Sequence, residues 1–171
     1  MSRIKKFEIA SFFFASIVGT LMHFLFEWTN ESVITALMSP VNESVFEHLK
    51  LTFFPLLIFS VFEYFYIGKT HKGFFYVKAK AILLGILFVI VLYFTYTGII
   101  GKNYMIADII IFYLSILIST LYFIKNYESN EHSNLSGIII LIIISALFFI
   151  FAPPHIHLFL DETGAYYGIK K

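Results

Sequence analysis

Neutral imidazoles beside carboxylates are the ligand set that zinc takes, with three protein ligands and a water where the ion is catalytic. The 171-residue chain carries such groups at His23 and Glu27, at Glu43, Glu47 and His48, at Asp108, and at His155, His157 and Asp161, with the Asn42 amide beside them. His23, His48 and His155 are the candidate metal ligands, with Zn2+ or another divalent ion as cofactor. Glu43 or Glu47 then acts as a fourth ligand or as the catalytic base on the bound water. The spacing follows no local zinc motif, so the case rests on these residues sharing one depth on one side of a membrane. Each also has a plain structural use. His23 and Glu27, four residues apart, could satisfy each other, and Glu47 could pair with Lys50. His157 could lie among headgroups, and Asp108 could anchor a helix end.

The elements that must position these residues are membrane spans. The chain is 59% hydrophobic, 20% aromatic and 13% charged. A soluble domain has no use for so much apolar surface, whereas runs of about 18 apolar residues mark bilayer-spanning helices. Five spans are expected, at about Phe7–Phe26, Leu51–Ile67, Ala79–Ile100, Tyr104–Ile124 and Gly137–Ala152, in one all-α helical domain over 1–171. The first run is too long for a signal peptide and lacks a small-residue cleavage site, so it reads as retained. Net charge of +1 gives no reason to expect nucleic acid, and the absence of cysteine excludes disulfides and thiolate chemistry. Membrane lipids are the expected surroundings. Arg3, Lys5, Lys6, Lys69, Lys72, Lys78, Lys80 and Lys125 gather on one side, which the positive-inside rule makes the cytoplasm. The N-terminus is then cytoplasmic and the C-terminus outside.

Ser39 to Lys50 is the densest polar stretch and lies on the outer side. Ser39-Pro40 reads as the start of a short amphipathic helix, a capping hydroxyl followed by a proline at the first position. Continued to Ile67, that helix would be about 42 Å long against a core of about 30 Å, so its start must tilt or bend. It would carry Glu43, Glu47 and Lys50 on one side, Ser44 and His48 beside them, and Asn42 among apolar residues. Pro55 should kink the second span and free the Leu51 carbonyl. Ser16, Gly19, Thr20, His23 and Glu27 form one face of the first span, a stripe suited to close packing. Asp108 lies about one turn inside the outer surface. Glu63 reads as a charge paired with Lys69 or Lys72, and the third and fifth spans as packing. His71 and His132 read as solvent-exposed loop residues. In the tail, Pro153-Pro154 imposes an extended path that points His155 and His157 the same way. Phe159 and Leu160 look able to fold back onto the membrane surface. Asp161-Glu162-Thr163-Gly164 is turn chemistry.

Asn42-Glu43-Ser44-Val45-Phe46-Glu47-His48-Leu49-Lys50, the His-x-x-x-Glu of the first span and the Pro-Pro-His tail resemble a family of small bacterial multi-pass membrane proteins of unknown function. The resemblance covers nearly the whole chain and centres on Asn-Glu-Ser-x-x-Glu-His-x-Lys. It implies the five-span architecture and a bacterial cytoplasmic membrane, and brings no activity, substrate or cofactor. The tail reads Gly164-Ala165-Tyr166-Tyr167-Gly168, a small departure that touches none of the acidic or histidine positions.

Three functions fit these residues. The first is a metal-dependent membrane hydrolase acting on a lipid or peptide at the outer face. The second is a transporter or ion- and proton-binding protein, which would want polar groups continuing through the membrane; here they thin out below Asp108 and His23. The third is a structural or assembly protein, which needs fewer titratable groups. The one-sided cluster favours the hydrolase.

Overall fold

Apolar runs of this length cannot leave backbone groups unpaired, and the chain resolves that demand almost entirely as helix. The computed structural model describes residues 2–128, 133–150, 153–161 and 163–169. The helices are α1 (Arg3–Trp28), α2 (Val33–Ala36), α3 (Val45–Glu63), α4 (Phe74–Ile100), α5 (Met105–Asn126) and α6 (Asn134–Leu147). A π-helical turn, Tyr64–Gly68, extends α3. After α6 comes a 3-10 turn, His157–Phe159, and a small antiparallel pair, β1 (Leu160–Asp161) with β2 (Tyr166–Tyr167).

Four helices are long and apolar enough to cross a bilayer: α1, α3 with its π turn, α4 and α5. With 26 and 27 residues, α1 and α4 are each about 40 Å long. The fifth expected span is α6. Its 14 residues cover about 21 Å, short of a full hydrocarbon core, and the expected end at 151–152 lies outside the described residues. Phe13, Ile17, Val91 and Ile142 are among the many large apolar side chains left exposed on the helices, as a lipid-facing surface requires. Inside, Phe53, Ile82, Ile116 and Phe148 anchor the core joining α1, α3, α4, α5 and α6.

Small residues decide how closely the helices approach. A Cβ on Gly19 would stand 2.6 Å from the Leu51 carbonyl oxygen and 2.7 Å from the Phe112 ring. That carbonyl is the one Pro55 cannot bond, so the proline lets α1 and α3 meet where the sequence suggested a freed acceptor. At Gly85 of α4 the α5 backbone and Ser119 close in the same way.

The polar stretch differs from its expected form. The helix begins at Val45, not at Pro40, and residues 39–44 form a loop. Ser44 is the cap, its hydroxyl accepting from the Glu47 N–H at 3.3 Å. Ser44-x-x-Glu47 is a capping-box pattern, but the Glu47 carboxylate reaches past the cap to the Val41 N–H at 3.1 Å. Ser39 serves another helix. Its hydroxyl donates to Met22 O at 2.5 Å and accepts from Phe26 N–H at 3.2 Å, docking the loop onto the last turns of α1. Two further expectations change. Glu63 binds Lys78 of α4 rather than Lys69 or Lys72. His71 stacks on Tyr127 at 3.9 Å instead of standing in solvent, while His132 lies outside the described residues.

Candidate metal centre

The C-terminal end of α1, the 39–44 loop and the first turn of α3 bring His23, Glu43 and His48 together. Each offers one ligand atom, and these atoms lie within 4.8 Å of one another. The His23 and His48 rings are 5.1 Å apart, tilted by 43°. His48 Nδ1 lies 2.9 Å from the Ser44 carbonyl oxygen, which can only accept, so Nδ1 carries the proton. Its Nε2 is thereby left facing Glu43 Oε2 at 3.4 Å. In neutral His48 these are two acceptors pointing at each other, and a cation must lie between them: a proton or a metal ion. The separation equals the edge of a tetrahedron with arms of about 2.1 Å, the usual zinc–ligand length. His23 Nδ1 is buried beside them without a hydrogen-bond partner.

This cluster opens onto a cleft of about 250 Å³ whose lining includes His23, Glu27, Glu31, Glu43, Asp161 and Tyr166. The Glu43 side chain is half exposed and that of His48 30% exposed, so the site is reachable from the cleft. Where the cation between them is a proton, the hydrogen bond from His48 lowers the Glu43 carboxyl below its ordinary value, outweighing burial and the Asp161 charge. Burial pushes the Asp161 carboxyl up. The Thr163 hydroxyl, the Glu43 N–H and the Tyr166 phenol more than reverse that, taking it to about 2. Partial burial and the bond to Asp161 push the Tyr166 phenol up to about 12.

The other candidate residues are placed as follows. Asn42 is a clasp, its Nδ2 donating to Gly168 O at 2.8 Å and its Oδ1 accepting from Ser44 N–H at 2.9 Å. Asp161 Oδ2 accepts from the Glu43 N–H at 3.0 Å, so it fixes the backbone of a cluster residue rather than joining the cluster. Glu27 is exposed on the cleft rim, and no hydrogen bond joins it to His23. Glu47 and Lys50 are buried together, with Lys50 Nζ donating to Glu47 Oε2 at 2.6 Å and to Ala36 O at 2.9 Å. His155 is exposed and stacked on Tyr167 at 4.4 Å, and the structure does not bring it to His23 and His48. His157 sits by Phe94, on a separate depression of about 400 Å³ that also involves Lys102 and Asn103. Asp108 accepts a hydrogen bond from Tyr96 at the α4–α5 corner. Phe159 packs on Phe46 of α3 at 4.4 Å, so this part of the tail folds back onto the helices.

Sequence reasoning missed a second polar cluster at the opposite end, where Glu8 and Glu63 both bind Lys78. Its signal was a carboxylate at Glu8, one turn before Ser11 on the buried stripe of the first span. Lys78 had been counted among the loop lysines.

Searches among characterised proteins and among solved structures returned no match. One family model does match, over residues 1–169. The chain therefore belongs to a family of unknown function (DUF6512).

Proposed function

We propose that the protein is a multi-pass membrane protein with a divalent-metal site at its extracytoplasmic face, zinc being the ion these ligands suit, and that the site serves hydrolysis of a lipid or peptide. The observation that carries this is the His48–Glu43 pair. The bond from Nδ1–H to the Ser44 carbonyl aims an Nε2 lone pair at a carboxylate 3.4 Å away, beside the partnerless His23 Nδ1. Two imidazoles and one carboxylate are a catalytic zinc set, with a further position left for water. An ion held there would polarise a water for attack on an ester or amide carbonyl. Glu43 is then a ligand. Glu27, one turn beyond His23 on the cleft rim, takes the proton from the attacking water in this reading. Glu47 is removed from the catalytic role, because its carboxylate is committed to Lys50 and Val41.

The sidedness rests on the exposed Arg3, Lys5, Lys6, Lys69, Lys72, Lys80 and Lys125, which lie at the end of the bundle away from the histidines. They support a cytoplasmic N-terminus in a bacterial cytoplasmic membrane, with α6 as a fifth span and the C-terminus outside. Protein purified without chelator should contain about one zinc per chain. Chelation should remove it, and His48→Ala should abolish it. Metal-free protein whose stability ignores chelators would instead assign the pair to an imidazolium–carboxylate bond.

A further inference from the structure

At the end of the bundle opposite the histidines, α1, α3 and α4 each send one ionisable side chain into the same buried space. Glu8 of α1 and Glu63 of α3 both bind the Lys78 ammonium of α4, the Glu63 contact being 2.5 Å. None of the three residues is more than 3% exposed. Lys78 Nζ also stands 4.0 Å from the Phe123 ring centroid on α5 and 5.9 Å from that of Phe74, so aromatic faces close its other sides.

Charge and hydrogen bonding both leave this cluster one proton short. Two carboxylates against one ammonium carry a net negative charge, and among the described residues no other ion pair reaches Glu8 or Glu63. From the end of α5, Tyr127 is the further titratable group near these charges, and its phenol donates to Ile67 O at 2.8 Å. An uncompensated charge at such a place is costly. The Glu8 and Glu63 carboxylates meet at the same Lys78 Nζ, which draws them close together, and Glu63 Oε1 is buried with no donor. Two carboxyls share a hydrogen bond only when one of them carries a proton.

Neighbouring hydroxyls point the same way. Those of Ser11 and Thr120 are buried and have no partner. Ser11 follows Glu8 by one turn on the same face of α1, and Thr120 precedes Phe123 by one turn on the face of α5 that meets Lys78. The π-helical turn that begins directly after Glu63 is of a kind that recurs at functional sites.

We propose that Glu8, Glu63 and Lys78 form a buried proton-binding site, in which the two carboxyls hold one exchangeable proton beside the Lys78 ammonium. One carboxylate, one carboxylic acid and one ammonium are together neutral. The unpartnered Ser11 and Thr120 hydroxyls are the nearest groups through which that proton could exchange. The site is independent of the metal centre.

Infrared difference spectra of protein labelled with 13C-glutamate in nanodiscs, taken between neutral and alkaline pH, test this. The wild type should show a protonated-carboxyl stretch that disappears on the alkaline side, and Glu8→Gln and Glu63→Gln should each lack it. Each single variant should keep its thermal midpoint within about 3 °C at neutral pH, because glutamine mimics the neutral acid. The double variant leaves Lys78 unpaired and should lose about 10 °C. A wild type without the pH-dependent stretch, a stretch surviving in both single variants, or single variants as unstable as the double would each overturn the proposal.

Discussion

Glu47 shows how a side chain of the right type can be committed elsewhere. Its carboxylate accepts from Lys50 at 2.6 Å and from the Val41 N–H at 3.1 Å, and both side chains are shut off from solvent. Removing either partner strands the other in a low-dielectric interior, at a cost of about 3–5 kcal/mol. Glu47→Gln and Lys50→Met should therefore each lower the unfolding midpoint, while the double change should cost clearly less than their sum. Additive losses would show that the two side chains do not depend on each other. Asp161 carries a pH dependence whose sign follows from its position. Its folded value of about 2 lies below the ordinary 3.8, so its contribution is fully present above about pH 3.8 and is lost as pH falls through 2. Limited proteolysis of the tail across that range should show release on acidification. Asp161→Asn should release the tail already at neutral pH, since the Thr163, Tyr166 and Glu43 bonds to a carboxylate are weakened together.

At the scale of elements, helix ends and helix contacts set where the cluster can form. Ser44 caps α3, so Ser44→Ala should cost about 1 kcal/mol, or about 2–4 °C in the midpoint, while also loosening the carbonyl turn that orients His48. Gly19→Val should do more, because its Cβ would meet the Leu51 carbonyl at 2.6 Å and push α1 from α3; the loss should appear as poor yield of monodisperse protein. The long apolar helices were legible in the sequence because hydrophobic runs leave little choice in a bilayer. The placing of His23, Glu43 and His48 on one side was legible from the order of the spans, although the sequence grouped the two histidines with His155 and left Glu43 and Glu47 as alternatives. The start of α3 was not. Ser39-Pro40 and Ser44-x-x-Glu47 both carry starting signals, and only tertiary contacts gave Ser39 to α1. His155 was misplaced for a similar reason: the tail register is set by Asn42 on Gly168 and Asp161 on Glu43 N–H, bonds that span more than a hundred residues. Asp108 turned to Tyr96, a partner that no spacing along α5 reveals.

Across the whole molecule, polar side chains gather at the two ends of an apolar bundle. The histidine end opens to a cleft, whereas the Glu8–Lys78–Glu63 end is closed. That asymmetry fits the proposed metal site, reached through the cleft, and the proposed proton site, closed off inside the bundle. It also revises how the basic residues are weighed for orientation, because Lys78 is a core residue and only the exposed lysines and Arg3 report on sidedness. A reporter active only in the cytoplasm, fused after Lys171, should be silent in this topology, and a strong signal would invert the proposed faces. Metal binding should itself stabilise the fold, by about 2.7 kcal/mol at a free ion concentration a hundredfold above Kd.

The most direct measurement is calorimetric titration of Zn2+ into chelator-treated protein, comparing wild type with His23→Ala, His48→Ala, Glu43→Gln and His155→Ala. The account requires a single site in the wild type that survives His155→Ala unchanged and is weakened at least about tenfold by each of the other three. Wild-type protein that takes up no zinc, or a site lost in His155→Ala but retained in His23→Ala, would contradict it.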